Sequence, residues 1–123
     1  MKYVDGFVIS VAEKNMEAYR KMAGQGARLW MKHGALEYYE CQGDDLGEKS
    51  DMGGRTFTEL AATKPGETVV FSFIVFKSRK HRDEVNARVM ADPEMSPEAF
   101  KGKRMPFDMK RMAYGGFKVI VEG

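Results

Sequence analysis

The sequence predicts an α+β domain whose elements run β-α-β-β-α-β. Two observations predict it. Residues 3–11 and 68–76 are dense in β-branched and aromatic side chains, as strands are. Each is followed by a short polar residue suited to capping and then by a helical stretch, so the two halves of the chain look alike. At 123 residues the chain fits one domain, 1–123.

The first strand, Tyr-Val-Asp-Gly-Phe-Val-Ile-Ser-Val, leads to Asn15, a short side chain able to accept from the free amides of a helix start. The helix predicted over 16–33 carries Met16, Tyr19, Met22, Ala23, Gly26 and Trp30 on one stripe. Gly34 ends it, with Lys32 and His33 beside the helix's negative pole. A second strand follows over 35–42, and 43–55 is a polar, Gly-rich loop. Residues 57–63 suit either a short edge strand or a helical turn, and Lys64-Pro65-Gly66-Glu67 is a turn.

The third strand, 68–76, is the strongest in the chain. Ser78 caps a second helix over 79–91, which Asp92-Pro93 ends. Residues 93–110 hold three prolines and are expected to be irregular, with one turn at 97–101. A last strand over 111–121 has a Gly115-Gly116 pair that marks a bulge or a close backbone approach. Such an order gives a ferredoxin-like four-stranded antiparallel sheet, first and third strands in the middle, two helices on one face. Glu37, Glu40 and Lys118 suit the edge strands.

The third strand is apolar on both sides: Val69, Phe71, Phe73 and Val75 on one, Val70, Ile74 and Phe76 with Ser72 on the other. Two helices cover one face, so the other needs a lid, and a second copy of the sheet is the simplest. A homodimer is therefore expected, with Phe71 and Phe73, or their opposite-face neighbours Ile74 and Phe76, buried between protomers.

Composition narrows the function classes. The longest apolar run is far shorter than a membrane span, no export signal opens the chain, and the cytoplasm is the expected address. A net charge of +2 argues against a nucleic-acid partner. Residues 71–76 match the aromatic positions of an RNA-recognition strand, but Val69-Val70 stand where a basic residue and a glycine belong, which leaves RNA binding a distant third reading. With two histidines and one cysteine, no metal and no cofactor are expected, and the acidic loop 43–51 lacks calcium-ligand spacing. Cys41 reads as a small buried hydrophobe. The basic opening of the second helix, Arg79-Lys80-His81-Arg82, reads as an exposed face.

Two constellations carry chemistry. His33, Tyr38, Glu40 and Tyr114 are candidate catalytic groups: a histidine base near a carboxylate, with tyrosine donating to a developing oxyanion. The plainer reading of His33 is a helix cap. Arg104, Asp108 and Arg111 lie around Pro106 in a stiffened loop and are candidate ligand-binding residues, the arginines clamping an anion. Edge strands two and four lie on opposite sides of the sheet, which splits the set in two if the loop does not cross over. The ten methionines suit a pocket able to repack around different ligands, or simply a Met-tolerant core.

The segments His33-Gly34-Ala35-Leu36, residues 40–45, residues 67–72 and residues 105–117 (Met-Pro-Phe-Asp-Met-Lys-Arg-Met-Ala-Tyr-Gly-Gly-Phe) resemble the YbaA-like bacterial proteins, an uncharacterised family. The resemblance spans nearly the whole chain and implies a dimeric α/β barrel, two ferredoxin-like sheets packed face to face. It hands over no catalytic residues. The wider superfamily holds cofactor-free oxygenases, isomerases of small cyclic acids, haem-degrading enzymes and ligand-sensing modules. The reading is thus a small-molecule enzyme or binder, a cofactor-independent oxygenase or isomerase acting on a small cyclic or aromatic compound first, and a non-catalytic small-ligand-binding or stress-related dimeric module as the alternative.

Overall fold

The computed structural model describes residues 1–47 and 53–123. Part of the 43–55 loop therefore lies outside the described residues. The strands are β1 (Tyr3–Ala12), β2 (Glu37–Gln42), β3 (Glu67–Phe76) and β4 (Ala113–Lys118). They form one antiparallel sheet in the order β2-β3-β1-β4. The two long helices are α1 (Met16–Lys32) and α3 (Arg79–Ala91), with single turns α2 (Phe57–Leu60) and α4 (Pro97–Phe100) between strands.

Residues 16–32 contain no proline and no β-branched residue, so nothing opposes the helix except Gly24 and Gly26. Its N-terminus departs from expectation. Asn15 makes no side-chain cap; its amide Nδ2 donates instead to Pro106 O at 3.3 Å, tying the helix to the last loop. At the other end Gly34 takes φ +113°, a conformation costly for any other residue. Arg88 from α3 donates to the His33 carbonyl through Nε and Nη2, at 3.2 and 2.7 Å. Ser78 caps α3 as expected, accepting from the His81 amide at 3.1 Å.

The helices pack on the face carrying Ile9, Val11, Val70, Ile74 and Phe76, where the core lies. Val85 and Val89 are wholly buried beneath α3, each contributing about 1.5–3 kcal/mol. Ile74 and Phe76 are thus core residues within the chain, and the open-face pair is Phe71 and Phe73. That second face is not wholly bare. Residues 57–63 settle the open choice as a helical turn, with Phe57 edge-on to Phe71 at 6.0 Å and Ser10 Oγ donating to Ala61 O. What remains open is Tyr39, Phe71 and Phe117, exposed by 48, 42 and 62%. Cys41, expected to be buried, is exposed because β2 alternation turns it to this side.

The register runs unbroken through Gly115 and Gly116, opposite Gly6 and Asp5, so there is no bulge. The close-approach alternative holds: a Cβ on Gly116 would press on the Tyr3 hydroxyl and come within 2.9 Å of Arg82 Nη2. Among the described residues no helix is long and apolar enough to cross a membrane.

Candidate functional site

Period-two alternation turns Tyr38 and Glu40 toward the helices, although β2 is an edge strand. Glu40 is therefore half-buried under α1 rather than a solvated edge charge. Tyr19, on the first turn of α1, donates to Glu40 Oε1 at 2.6 Å, and Tyr38 donates to Oε2 at 2.7 Å. Both oxygens of the carboxylate are held by short charge-assisted bonds. Burial, then the neighbouring Glu40, holds both hydroxyls well above the usual tyrosine range, so they stay donors. Gly26 makes the arrangement fit, since a Cβ there would lie 3.0 Å from Tyr38 Oη.

Around this carboxylate lies a cavity of about 480 Å³ between the sheet, α1, α3 and the 105–112 segment. A second, also about 480 Å³, runs under α1 toward α4 and shares Met22, Trp30, Tyr38, Glu40 and Phe107 with the first. The walls are methionine and aromatic side chains with few polar groups, the usual make-up of a small-molecule site. Tyr114 reaches the first cavity, its ring stacked 6.3 Å from Phe7.

The far wall holds a second polar group. Asp5 on β1 is buried, with Arg82 Nε 3.7 Å from its Oδ1. The guanidinium lies 4.9 Å over the Tyr3 ring and donates to Tyr3 Oη at 3.1 Å. Trp30 Nε1 donates to Asn86 Oδ1 at 3.0 Å, which leaves the Asn86 amide nitrogen to face Asp5. Burial pushes the Asp5 carboxyl above the usual aspartate range, against the opposing pull of Arg82 and Asn86.

The family model described as "Protein of unknown function (DUF1428)" matches residues 2–109. The chain belongs to the DUF1428 family. It is 42% identical over 124 residues, 99% of each chain, to "Uncharacterized protein YbaA" of Escherichia coli strain K12, and equally to that of Shigella flexneri. A solved dimeric ferredoxin-like protein from an uncultured marine organism aligns over 100% of both chains with TM-score 0.61 at 14% identity, a likeness of fold.

The structure divides the candidate residues of this DUF1428 chain into three places. Tyr38, Glu40 and Tyr114 line the same cavity. His33 lines none of the cavities described; its Nε2 is 2.8 Å from Asp92 Oδ2, where Lys32 also binds, fastening the end of α1 to the end of α3. Arg104, Asp108 and Arg111 line a separate depression beside Glu67. There Arg111 clamps Glu67 with two bonds of 2.7 and 2.8 Å and donates to Ala62 O, and Asp108 caps the turn at Met109–Arg111. The cluster thus splits, but not by sheet edge: Tyr38 and Glu40 on β2 share a cavity with Tyr114 on β4, while His33 and the 104–111 loop lie elsewhere.

Sequence reasoning missed Tyr19, Asp5, Asn86 and Arg82. In the sequence Tyr19 stands only as one member of an apolar stripe. Arg82, read as exposed, turns inward because it sits one helical turn before Asn86 and two before Val89 on the sheet-facing side. A lone aspartate inside an otherwise apolar strand was the available signal for Asp5.

Proposed function

We propose that this chain is a small-molecule enzyme in which Glu40 takes a proton from a small cyclic or aromatic substrate held among the methionine and aromatic walls. The observation that carries the reading is the Glu40 carboxylate, fixed by the hydroxyls of Tyr19 and Tyr38 where it borders an apolar cavity. Each carboxylate oxygen keeps a second lone pair, so proton acceptance remains open. Tyr114 is the proposed donor to an oxyanion formed on the substrate. The carbanion so formed leads either to return of the proton at another carbon, an isomerase, or to reaction with dioxygen, a cofactor-independent oxygenase.

A non-catalytic binding module is the second reading. It is favoured by the two tyrosine bonds, which already satisfy one lone pair on each Glu40 oxygen. The anion-clamp role of Arg104 and Arg111 has less support, because Arg111 is committed to Glu67.

The working unit is proposed to be a homodimer joined by the open sheet face. Tyr39 and Phe73 (5.1 Å apart) and Phe71 (5.8 Å from Phe73) form an aromatic row there, and the fold neighbour is a dimeric protein. One cysteine and no disulfide suit a reducing compartment, hence the cytoplasm.

The test is a panel of quinols and small cyclic ketones against the chain and Glu40→Gln, read by melting temperature and by product formation. Saturable stabilisation with turnover that Glu40→Gln abolishes supports the enzyme; stabilisation without turnover supports the binder. Absence of both contradicts the site.

A further inference from the structure

We propose that Asp5 is a second proton-handling carboxyl of the Glu40 cavity, and that the pair moves a proton across a small cyclic carbonyl compound. The inference rests on the Glu40 reading and goes beyond it: it selects isomerisation over oxygenation and names the acid.

Asp5 pairs with Ile74, which pairs with Tyr38; the neighbouring row is Phe7, Ser72, Glu40. Both carboxyls thus face the same cavity from strands two apart, offset by two residues. Strand spacing and rise put their backbones on the order of 12 Å apart. The two side chains stand side by side on the same sheet face, and that backbone separation is wide enough to set one substituted ring between them.

Their surroundings differ in kind. Glu40 receives two hydroxyl donors, one on each oxygen. Asp5 is buried on β1, and the groups facing it are Arg82, Asp83 and Asn86 from α3 and Tyr3 from its own strand. Arg82 stands beyond hydrogen-bond distance of Asp5 and is shared with Asp83, 3.4 Å from its Nε. Burial outweighs it, and the carboxyl keeps its proton to higher pH than an ordinary aspartate. A carboxyl that holds its proton and a carboxylate that faces the same cavity offer an acid and a base.

The step balances without a cofactor. Glu40 removes a proton from the carbon beside the carbonyl, and that electron pair moves onto the carbonyl oxygen as Asp5 gives it a proton. The enol then returns its O–H proton to Asp5, and Glu40 delivers its proton to a different carbon of the conjugated system. Nothing is oxidised or reduced.

The experiment uses the full chain and 3-cyclohexenone, whose isomerisation to 2-cyclohexenone is followed by the conjugated enone absorbance. Glu40→Gln and Asp5→Asn are each expected to lower the rate 100-fold or more, with Asp5→Asn leaving the ketone's Kd within about twofold. Turnover by Asp5→Asn at the rate of the unchanged chain, with Glu40→Gln inert, overturns the Asp5 role and spares the base. No turnover by the unchanged chain overturns both. Should Asp5→Asn not fold, carboxyl carbon NMR of the unchanged chain decides. The ketone is expected to move the Asp5 and Glu40 signals together and leave Asp92 still; a shift at Glu40 alone overturns the proposal.

Discussion

The Tyr19 hydroxyl on α1 and Glu40 Oε1 on β2 lie 2.6 Å apart, so helix and sheet edge meet at a carboxylate that borders the cavity. Tyr38 reaches the other oxygen of the same group. The three side chains form one unit, and their contributions are coupled.

Removing either hydroxyl leaves a half-buried charge short of one donor. Tyr19→Phe and Tyr38→Phe are each expected to lower stability by about 1.5–3 kcal/mol. The double variant should depart from the sum, since both bonds end on Glu40. Urea unfolding of the four chains measures this; strict additivity would show the two bonds to be independent.

Gly24 and Gly26 separate helix propensity from site geometry. A Cβ on Gly24 meets nothing within 4 Å, so Gly24→Ala is expected to stabilise by about 0.5–1 kcal/mol. Gly26→Ala gains the same propensity but crowds Tyr38 Oη at 3.0 Å. Its expected signature is altered turnover and a smaller or absent gain in melting temperature. Equal gains with unchanged turnover would remove Gly26 from the account of the site.

The Arg111 clamp holds Glu67 far below its ordinary value of 4.5, at about 2, chiefly by hydrogen bonds from the guanidinium. Because the folded value is the lower one, the pair's contribution is present above pH 4.5 and is lost as pH falls toward 2. Arg111→Met should therefore be the less stable chain at pH 7 and should lose less stability over that window. Parallel melting curves down to pH 2 would contradict this.

How much of this was legible in the sequence depends on the distance over which each feature is decided. The strands, the cap at Ser78 and the left-handed Gly34 rest on neighbours within a turn, and the residues announce them. Glu40 was recognisable as a polar group in a strand, but His33 was the wrong companion. Its true partner Tyr19 is 21 residues away, joined by helix-on-sheet packing that no local pattern encodes. Arg82 was misread because a helix of low amphipathicity does not declare its inner face; Asp5 and Tyr3 determine it from β1. The α2 turn was ambiguous because Phe57 belongs to neither period until Phe71 lies beside it.

His33 is expected to hold helix ends rather than handle substrate. His33→Gln should lower the melting temperature through loss of the Asp92 contact and leave turnover unchanged at a temperature where both chains are folded. A loss of turnover without a loss of stability would restore its catalytic reading.

The open face is tested by Phe71→Glu. A charge in the aromatic row beside Phe73 is expected to give a folded monomer by light scattering at micromolar concentration, with the unchanged chain expected to scatter as a dimer. An unchanged chain that scatters as a monomer would contradict the dimer.

Occupation of the cavity around Glu40 by a small molecule is read by methyl NMR of methionine-labelled protein titrated with a quinol or a cyclic ketone. Met22, Met90, Met109 and Met112 line that cavity, whereas Met1 and Met31 are exposed and line neither cavity. The first four signals are expected to move together and saturate, with Met1 and Met31 unmoved. Shifts confined to Met1 and Met31, or none at any methionine for every compound, would contradict it.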